Sequence, residues 1–427
     1  MRRRCGGTSV AGCSRSFAKA VSAADPRRQL LLELFQAGIA RVEGRRCVRN
    51  ALTSEDSGRA QRPVWLAAIG KAASAMALGA HDALGTSIER TLILTKDGHV
   101  APQALALPGV EAHESSHPTP DERSLASGSR LLRWVTELPE HVEPLFLVSG
   151  GASSLVEVLQ DGTTFADLER LTQEGLAAGI AIGELNARRG QHSLIKGGRL
   201  TAALQGRPAR ALFISDVPGD EPAVIGSGLL GPPKTGPDPV ERLVVASIDH
   251  AVEGVVAAAM EMGLAAESSY RRYDDDVMRL AVRFAHELDM STVDVRVWGG
   301  ESTIQLPDKP GRGGRNQHLG LAAARLIAGH PDLMLLAAGT DGTDGVTEDA
   351  GALVDADSCG RLSLAGLDAD ACLRAADSGT ALAASGDIVH TGPTGTNVGD
   401  LVIGLKLSVD AARELHFSRS SIRPRMF

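Results

Sequence analysis

Aromatic side chains are scarce in this sequence: 427 residues hold only 8 Phe, 3 Trp and 2 Tyr. Cations are in deficit too, with 44 Lys and Arg against 52 Asp and Glu and a net charge of −8. A nucleic-acid reader needs a basic stripe and rings on which bases stack, so both shortages argue against that class. Long apolar runs are missing as well. The longest near-candidate, 175–183, falls far short of the roughly 18 residues of a membrane span. Cysteine is rare, odd in number (Cys5, Cys13, Cys47, Cys359, Cys372) and never spaced as CxxC. That pattern predicts free thiols in a reducing cytoplasm rather than a disulfide framework.

What the chain does have is 48 Gly and a regular alternation. Short Leu- or β-branched runs at 64–69, 90–95, 145–148, 209–214, 293–297, 333–336 and 401–405 read as strands. Longer Ala/Leu/Glu stretches at 28–42, 72–84, 165–185, 241–263, 275–288 and 316–328 read as helices. Strands alternating with helices predict an α/β fold whose Gly-rich turns cluster at the carboxyl edge of a parallel sheet. The length suits two or three domains at roughly 150 residues each. The character of the sequence changes from long helices to short strands and Gly-rich turns near residue 288. The expected organisation is therefore an N-terminal Rossmann-like α/β/α sandwich over 28–288 and a smaller C-terminal α/β domain over 289–410, flanked by basic tails at 1–27 and 411–427.

Three literal pattern matches fail on context. His113-Glu114-Ser115-Ser116-His117 reads HExxH, but a zinc helix cannot run into Pro118 and Pro120, so this segment is expected to be an extended loop. Gly226-Ser227-Gly228-Leu229-Leu230-Gly231 reads GxGxxG, yet Pro232, Pro233, Pro237 and Pro239 follow where a dinucleotide turn must open a helix. Gly70-Lys71 lacks the rest of a P-loop.

Other turns carry chemistry. Gly70-Lys71-Ala72-Ala73 follows the first strand and places a cation at a helix start, although alone it also reads as an exposed lysine. Ser149-Gly150-Gly151-Ala152-Ser153-Ser154 offers backbone donors and three hydroxyls, the makings of an anion nest or of an ordinary βα turn. Asn186, Arg189, Ser193 and Lys196 add donors suited to anionic groups. Asp216, just beyond a buried strand and before a Pro-Gly turn, suits a metal ligand or a base. The C-terminal part is densest, with Gly-rich turns that carry Glu301, Arg315 and Asn316, then Thr340, Asp341 and Asp344, then Thr394, Thr396 and Asn397. Backbone N–H groups and hydroxyls in such turns hold phosphate, and the acids are available to Mg²⁺.

Taken in order, GKAA, LVSGGASSL, KGGRL, SDVPGD, GGES, GRGGRNQ, AAGTDGTDG and TGPTGTNVGDL resemble the glycerate 2-kinase family, whose C-terminal half is called the MOFRL domain. The chain differs from the family pattern at Gly190-Gln191, at Leu229-Leu230 and at His318. The resemblance implies ATP-dependent, Mg²⁺-assisted phosphorylation of D-glycerate on its 2-hydroxyl, in a cytoplasmic monomer or homodimer with its active site in an interdomain cleft. It makes Lys71 and Arg315 the key catalytic residues. Asp216 is then the expected Mg²⁺ ligand or base, with Asp341 and Asp344 as rival metal ligands. Ser149, Gly150, Gly151, Ser153, Ser154, Arg189, Lys196, Glu301, Asn316, Thr340, Asp341, Thr394, Thr396 and Asn397 become the expected contacts to phosphate and substrate. A hydroxypyruvate reductase and a non-catalytic sugar-acid or nucleotide binding protein are the alternatives.

Overall fold

The computed structural model describes residues 25–55, 62–117, 119–177 and 188–414. Helix α1 (Pro26–Val42) starts where the Asp25 carboxylate accepts the Arg27 N–H and Pro26 presets the first helical φ. One residue later α2 (Gly44–Glu55) begins, its first N–H groups at Arg45 and Arg46 donating to the Glu43 carboxylate.

Six parallel strands follow: β1 (Val64–Ile69), β2 (Ile88–Lys96), β3 (Val110–Ser115), β4 (Glu143–Val148), β5 (Ala209–Ile214) and β6 (Val240–Ala246), in the order β3-β2-β1-β4-β5-β6. Between them lie α3 (Ala73–Leu84) and α4 (Glu122–Thr136). β1 is buried throughout, and its alternate side chains feed two cores. Val64, Leu66 and Ala68 pack with α2 and α3, whereas Trp65, Ala67 and Ile69 pack with α4. Burial on both faces explains why this strand is continuously apolar rather than alternating.

The second sheet is built from β7 (Ala266–Ser268), β8 (Val295–Gly300), β9 (Leu333–Gly339), β10 (Gly351–Asp355), β11 (Ile388–Val389) and β12 (Asp400–Lys406). Its order is β11-β10-β9-β12-β8-β7, and only the β7/β8 pair is parallel. One face (Val295, Val297, Leu336, Ile403) packs on α1 and on α5 (Ile248–Glu261). The other (Trp298, Leu335, Ala337, Val402) packs on α6 (Val277–Asp289) and α7 (Arg315–Leu326). One apolar cluster runs from the α2/α3 face of the first sheet to the α1/α5 face of the second, so the two units share a helical layer.

The structure corrects several expectations. Residues 241–263 are not one helix: the run Leu243-Val244-Val245 extends as edge strand β6, and Ser247, in extended backbone, separates it from α5. The first three residues of the HExxH segment, His113-Glu114-Ser115, end strand β3, and only Ser116 and His117 lie in the loop beyond it. A division at 288/289 does not follow the sheets. β7, N-terminal to it, is a strand of the second sheet, α6, which ends across it at Asp289, packs on that sheet, and α1, at the start of the chain, packs there too. Of the predicted helix 165–185, Phe165–Ala177 is helical, while 178–187 lie outside the described residues. Among the described residues no helix is long and apolar enough to cross a membrane, and Cys47, Cys359 and Cys372 are free thiols.

Polar contacts also hold α1 to the second sheet. Arg28 is 4% exposed, pairs with Asp355 and Asp387 and donates to Leu353 O at 2.9 Å. Asp387 is fully buried, and removing one of its two arginine partners strands much of its charge. Arg28→Ala should therefore cost about 3 kcal/mol in urea unfolding. An unchanged unfolding midpoint would show that the apolar contacts of α1 suffice.

Candidate active site

The first sheet changes direction between β1 and β4: the chain leaves β1 toward β2 on one side and β4 toward β5 on the other. In open α/β sheets ligands bind beyond the carboxyl ends of the strands at such a switch point. Here the two turns are laced together. Lys71 N–H donates to Gly150 O at 3.0 Å, Ser149 N–H to Ile69 O at 2.9 Å, and Ala72 N–H to Ser149 Oγ at 3.0 Å. Gly70 has φ +121°, and a Cβ there would lie 2.3 Å from Ser149 Oγ, so only glycine allows this approach. The lacing aims the Lys71 side chain away from the sheet and toward the second unit.

Its partner there is Asp341, in the turn after β9. Lys71 Nζ donates to Asp341 Oδ2 at 2.6 Å, and the Thr343 N–H and hydroxyl hold Oδ1 at 2.8 and 3.0 Å. Burial opposes the charged form, yet Lys71 and Thr343 keep the Asp341 carboxyl below the ordinary range. Arg315 opens α7, donates to Glu301 Oε1 at 2.6 Å and lies 3.6 Å from Asp400 Oδ2.

Two further acids face the same space. Burial pushes the Asp216 carboxyl up to about 6, with Glu301 and Asp341 adding to the rise and Lys71 opposing it. Asp400 is likewise pushed up to about 6 by burial, against the pull of Arg315. Asn397 Nδ2 donates to Asp216 Oδ2 at 3.1 Å, and both side chains press on Gly150, where a Cβ would lie 2.0 Å from each. A pocket of about 490 Å³ lies among these groups, lined by Lys71, Asp216, Glu301, Arg315, Asp341, Asp344 and Asn397 of the predicted residues.

The remaining predicted residues are placed otherwise. Ser149, Gly150 and Gly151 form the turn behind Lys71. Thr340 Oγ1 donates to Gly399 O at 2.7 Å and Thr394 Oγ1 to Thr340 O, which joins the two C-terminal turns; Thr396 and Asn316 are buried beside them. Ser153 hydrogen-bonds Ser227 at 2.6 Å, and Ser154 Oγ donates to Gly151 O. Lys196 is 1% exposed in a 2.6 Å pair with an equally buried Glu157, and Arg189 is buried near that same acid, so neither lines the pocket. Asn186 lies outside the described residues.

Asp344 plays a structural part, because its two oxygens accept the Asn316 and Gln317 N–H groups at 3.1 and 2.8 Å. The carboxylate thus caps α7 where a phosphate would otherwise sit. Burial pushes its carboxyl up to about 7. Among the described residues no three Asp, Glu, His or Cys side chains gather as a ready metal cage, so Asp216, Asp341 and Asp344 do not form one.

Lys96 at the end of β2, His117 and Asp400 are among the pocket residues that were not expected from the sequence. Each had a signal. Lys96 opens the polar turn TKDGH after an apolar strand, His117 ends the discarded HExxH, and Asp400 closes the last Gly-rich motif.

A parallel sheet with a lysine at its switch point, facing an arginine and several acids from a second sheet, defines a two-unit α/β enzyme built to handle anionic groups. Residues 30–311 match a family described as a domain of unknown function (DUF4147), and residues 294–400 match the MOFRL family. D-glycerate 2-kinase of Thermotoga maritima is 33% identical over 418 residues, covering 88% of this chain and 98% of that protein. Glycerate 2-kinase of Pyrococcus horikoshii is 30% identical over 442 residues, covering 92% and 96%. The crystal structure of glycerate kinase from Thermotoga maritima matches with a TM-score of 0.78 at 32% identity, covering 89% of this chain and 99% of that one. The chain belongs to the glycerate 2-kinase family and is a phosphotransferase with an alcohol group as acceptor.

The tight fit at Gly150 yields a test. Gly150→Ala forces Asp216 and Asn397 apart and should lower kinase turnover by roughly 10²-fold, the cost of displacing active-site groups by about an ångström. Native-like turnover in this variant would show that Asp216 and Asn397 need not be held in place.

Proposed function

We propose that the protein transfers the γ-phosphoryl group of ATP to the 2-hydroxyl of D-glycerate, giving 2-phosphoglycerate and ADP. The observation that carries this reading is the meeting of Lys71, from the switch point, with Asp341 and Arg315 from the second unit, around one pocket. A bond forms between the acceptor oxygen and the γ-phosphorus, the bond from that phosphorus to the bridging oxygen of ADP breaks, and the hydroxyl proton passes to Asp216. Such transfer depends on alignment and on cancelling charge over the migrating group. Lys71 and Arg315 supply that cancellation from opposite walls.

Mg²⁺ fits the remaining donors. The pocket is lined by five acids (Asp216, Glu301, Asp341, Asp344, Asp400) against three cations (Lys71, Lys96, Arg315), a balance that repels bare polyphosphate. A Cβ on Gly339 would lie 3.4 Å from Asp341 Oδ1 and 3.5 Å from Asp400 Oδ1, so both carboxylates border the same backbone position, and Asp400 Oδ2, with Arg315 at 3.6 Å, has no hydrogen-bond partner among the described residues. Asp341 and Asp400 would hold an ion that arrives with nucleotide phosphates, since Mg²⁺ is usually bound by one or two carboxylates plus phosphate oxygens. The ion would neutralise phosphate charge.

One observation favours a reductase: the order β3-β2-β1-β4-β5-β6 is that of dinucleotide-binding sheets. A relative from Agrobacterium vitis, 34% identical, also carries a provisional hydroxypyruvate reductase name. The turn after β1, however, reads Gly70-Lys71-Ala72-Ala73, and the GxGxxG at 226–231 opens no helix.

Release of ADP dependent on D-glycerate and Mg²⁺, with phosphorus NMR placing phosphate on the 2-hydroxyl, tests the proposal; oxidation of NADH by hydroxypyruvate without ADP release would replace it. Lys71→Ala and Arg315→Ala should each lower kcat by roughly 10²-fold or more. Because the Asp216 carboxyl is raised to about 6, its proton-accepting form is lost as pH falls through that value. The kcat profile should therefore fall on the acid side near pH 6, and Asp216→Asn should abolish that limb along with most turnover.

A further inference from the structure

The two walls of the pocket differ in chemistry. From the first unit come Lys71, Lys96, His117 and Asp216, every one polar or ionisable. The apolar lining, Ile304, Leu306, Pro310, Val346 and Ala376, comes entirely from the second unit. Leu306 and Val346 are 60% and 90% exposed, apolar surface that costs free energy in water unless a ligand covers it. Of the two substrates in the proposed reaction, only the nucleotide has an aromatic base to lay there. A three-carbon hydroxy acid presents hydroxyls and a carboxylate and matches the first unit's wall, which carries no apolar residue, whereas the second unit sets its apolar lining beside Glu301, Arg315, His318, Asp341, Asp344 and Asp400.

The cations also differ. Lys71 is committed to Asp341, and Arg315 to Glu301. Lys96 lines the same pocket, is partly buried, and among the described residues its Nζ has no hydrogen bond or ion pair. Burial, then repulsion from Lys71, lowers its affinity for a proton. An anion brought to this ammonium completes a charge-assisted contact without breaking an existing one. His117 does not compete for that anion: burial, with Lys71 and Lys96 nearby, pulls its imidazole down to about 3, so it stays neutral and suits a hydroxyl.

We propose that Lys96 binds the carboxylate of the hydroxy-acid acceptor and so selects acids over neutral alcohols, while the nucleotide base lies at the opposite wall against Leu306 and Val346. This rests on the kinase reading above and adds to it the orientation of both substrates.

The test is steady-state kinetics of the full chain with ATP, Mg²⁺ and either D-glycerate or its neutral methyl ester. Lys96→Met should raise KM for D-glycerate by about 10- to 100-fold, the worth of a hydrogen bond to a charged group, and leave KM for ATP and for the ester within about threefold. Lys96→Arg should recover part of the loss. Val346→Asp, at an exposed position, should raise KM for ATP alone. An unchanged KM for D-glycerate in Lys96→Met overturns the proposal. So does a rise in KM for ATP, which assigns Lys96 to nucleotide phosphate, and so does an equal loss with acid and ester, which marks a structural role. Turnover of a different hydroxy acid in place of D-glycerate would sink the substrate named above but leave the Lys96 split readable with that acid. No ADP release with any acid would sink both.

Discussion

The Lys71 to Asp341 ion pair joins the turn after β1 to the turn after β9, 270 residues away. Both ends are fixed before they meet. Lys71 is set by the backbone lacing of two central strand turns and by a glycine that allows their close approach. Asp341 is set by two donors from Thr343. A salt bridge at a flexible surface contributes little, but here both partners are mostly buried and the geometry is imposed by sheets on either side. The pair can therefore act as a reference point for the pocket. It depends in turn on the apolar layer of α1, α2, α3 and α5, which holds the two sheets in one relation.

Around that point the electrostatics are unbalanced toward acid. Asp216 and Asp400 are each lifted to about 6 by burial among other carboxylates, a strain that favours the arrival of protons or cations. Perturbed groups that cluster in a pocket are the usual mark of a working site. Lys196 and Glu157, as deeply buried, show the opposite case: they satisfy one another away from the pocket and act as a packed pair. The difference lies in what each charge faces rather than in how deep it is.

Much of this was legible in the sequence. The runs that became β1, β4, β5, β8 and β9 stand out as apolar segments followed by Gly-bearing polar turns, and β12 as one preceded by such a turn, because strands buried on both faces have no polar positions to hide them. The residues that line the pocket mostly came from those turns. Short strands β7 and β11 were not legible, since two or three residues carry no period. β6 was absorbed into the helix that follows it because its exposed edge mixes charged and apolar residues much as a helix does. Asp344 looked like a metal ligand since an acid in a Gly-rich turn has the same appearance whether it faces a cation or a helix end.

By itself the sequence determined the α/β alternation, the sites of the turns, the failure of the zinc and dinucleotide patterns, and the ordered set of motifs that marks the family. These are local properties, written in spacing, in proline positions and in glycine. Only the tertiary structure decided that α1 joins the second sheet, that Lys71 meets Asp341, that Lys196 is enclosed with Glu157, and that Lys96 faces the pocket without a counter-ion among the described residues. Each of those depends on which side chains stand opposite one another across distant parts of the chain, and partnership of that kind leaves no trace in local spacing.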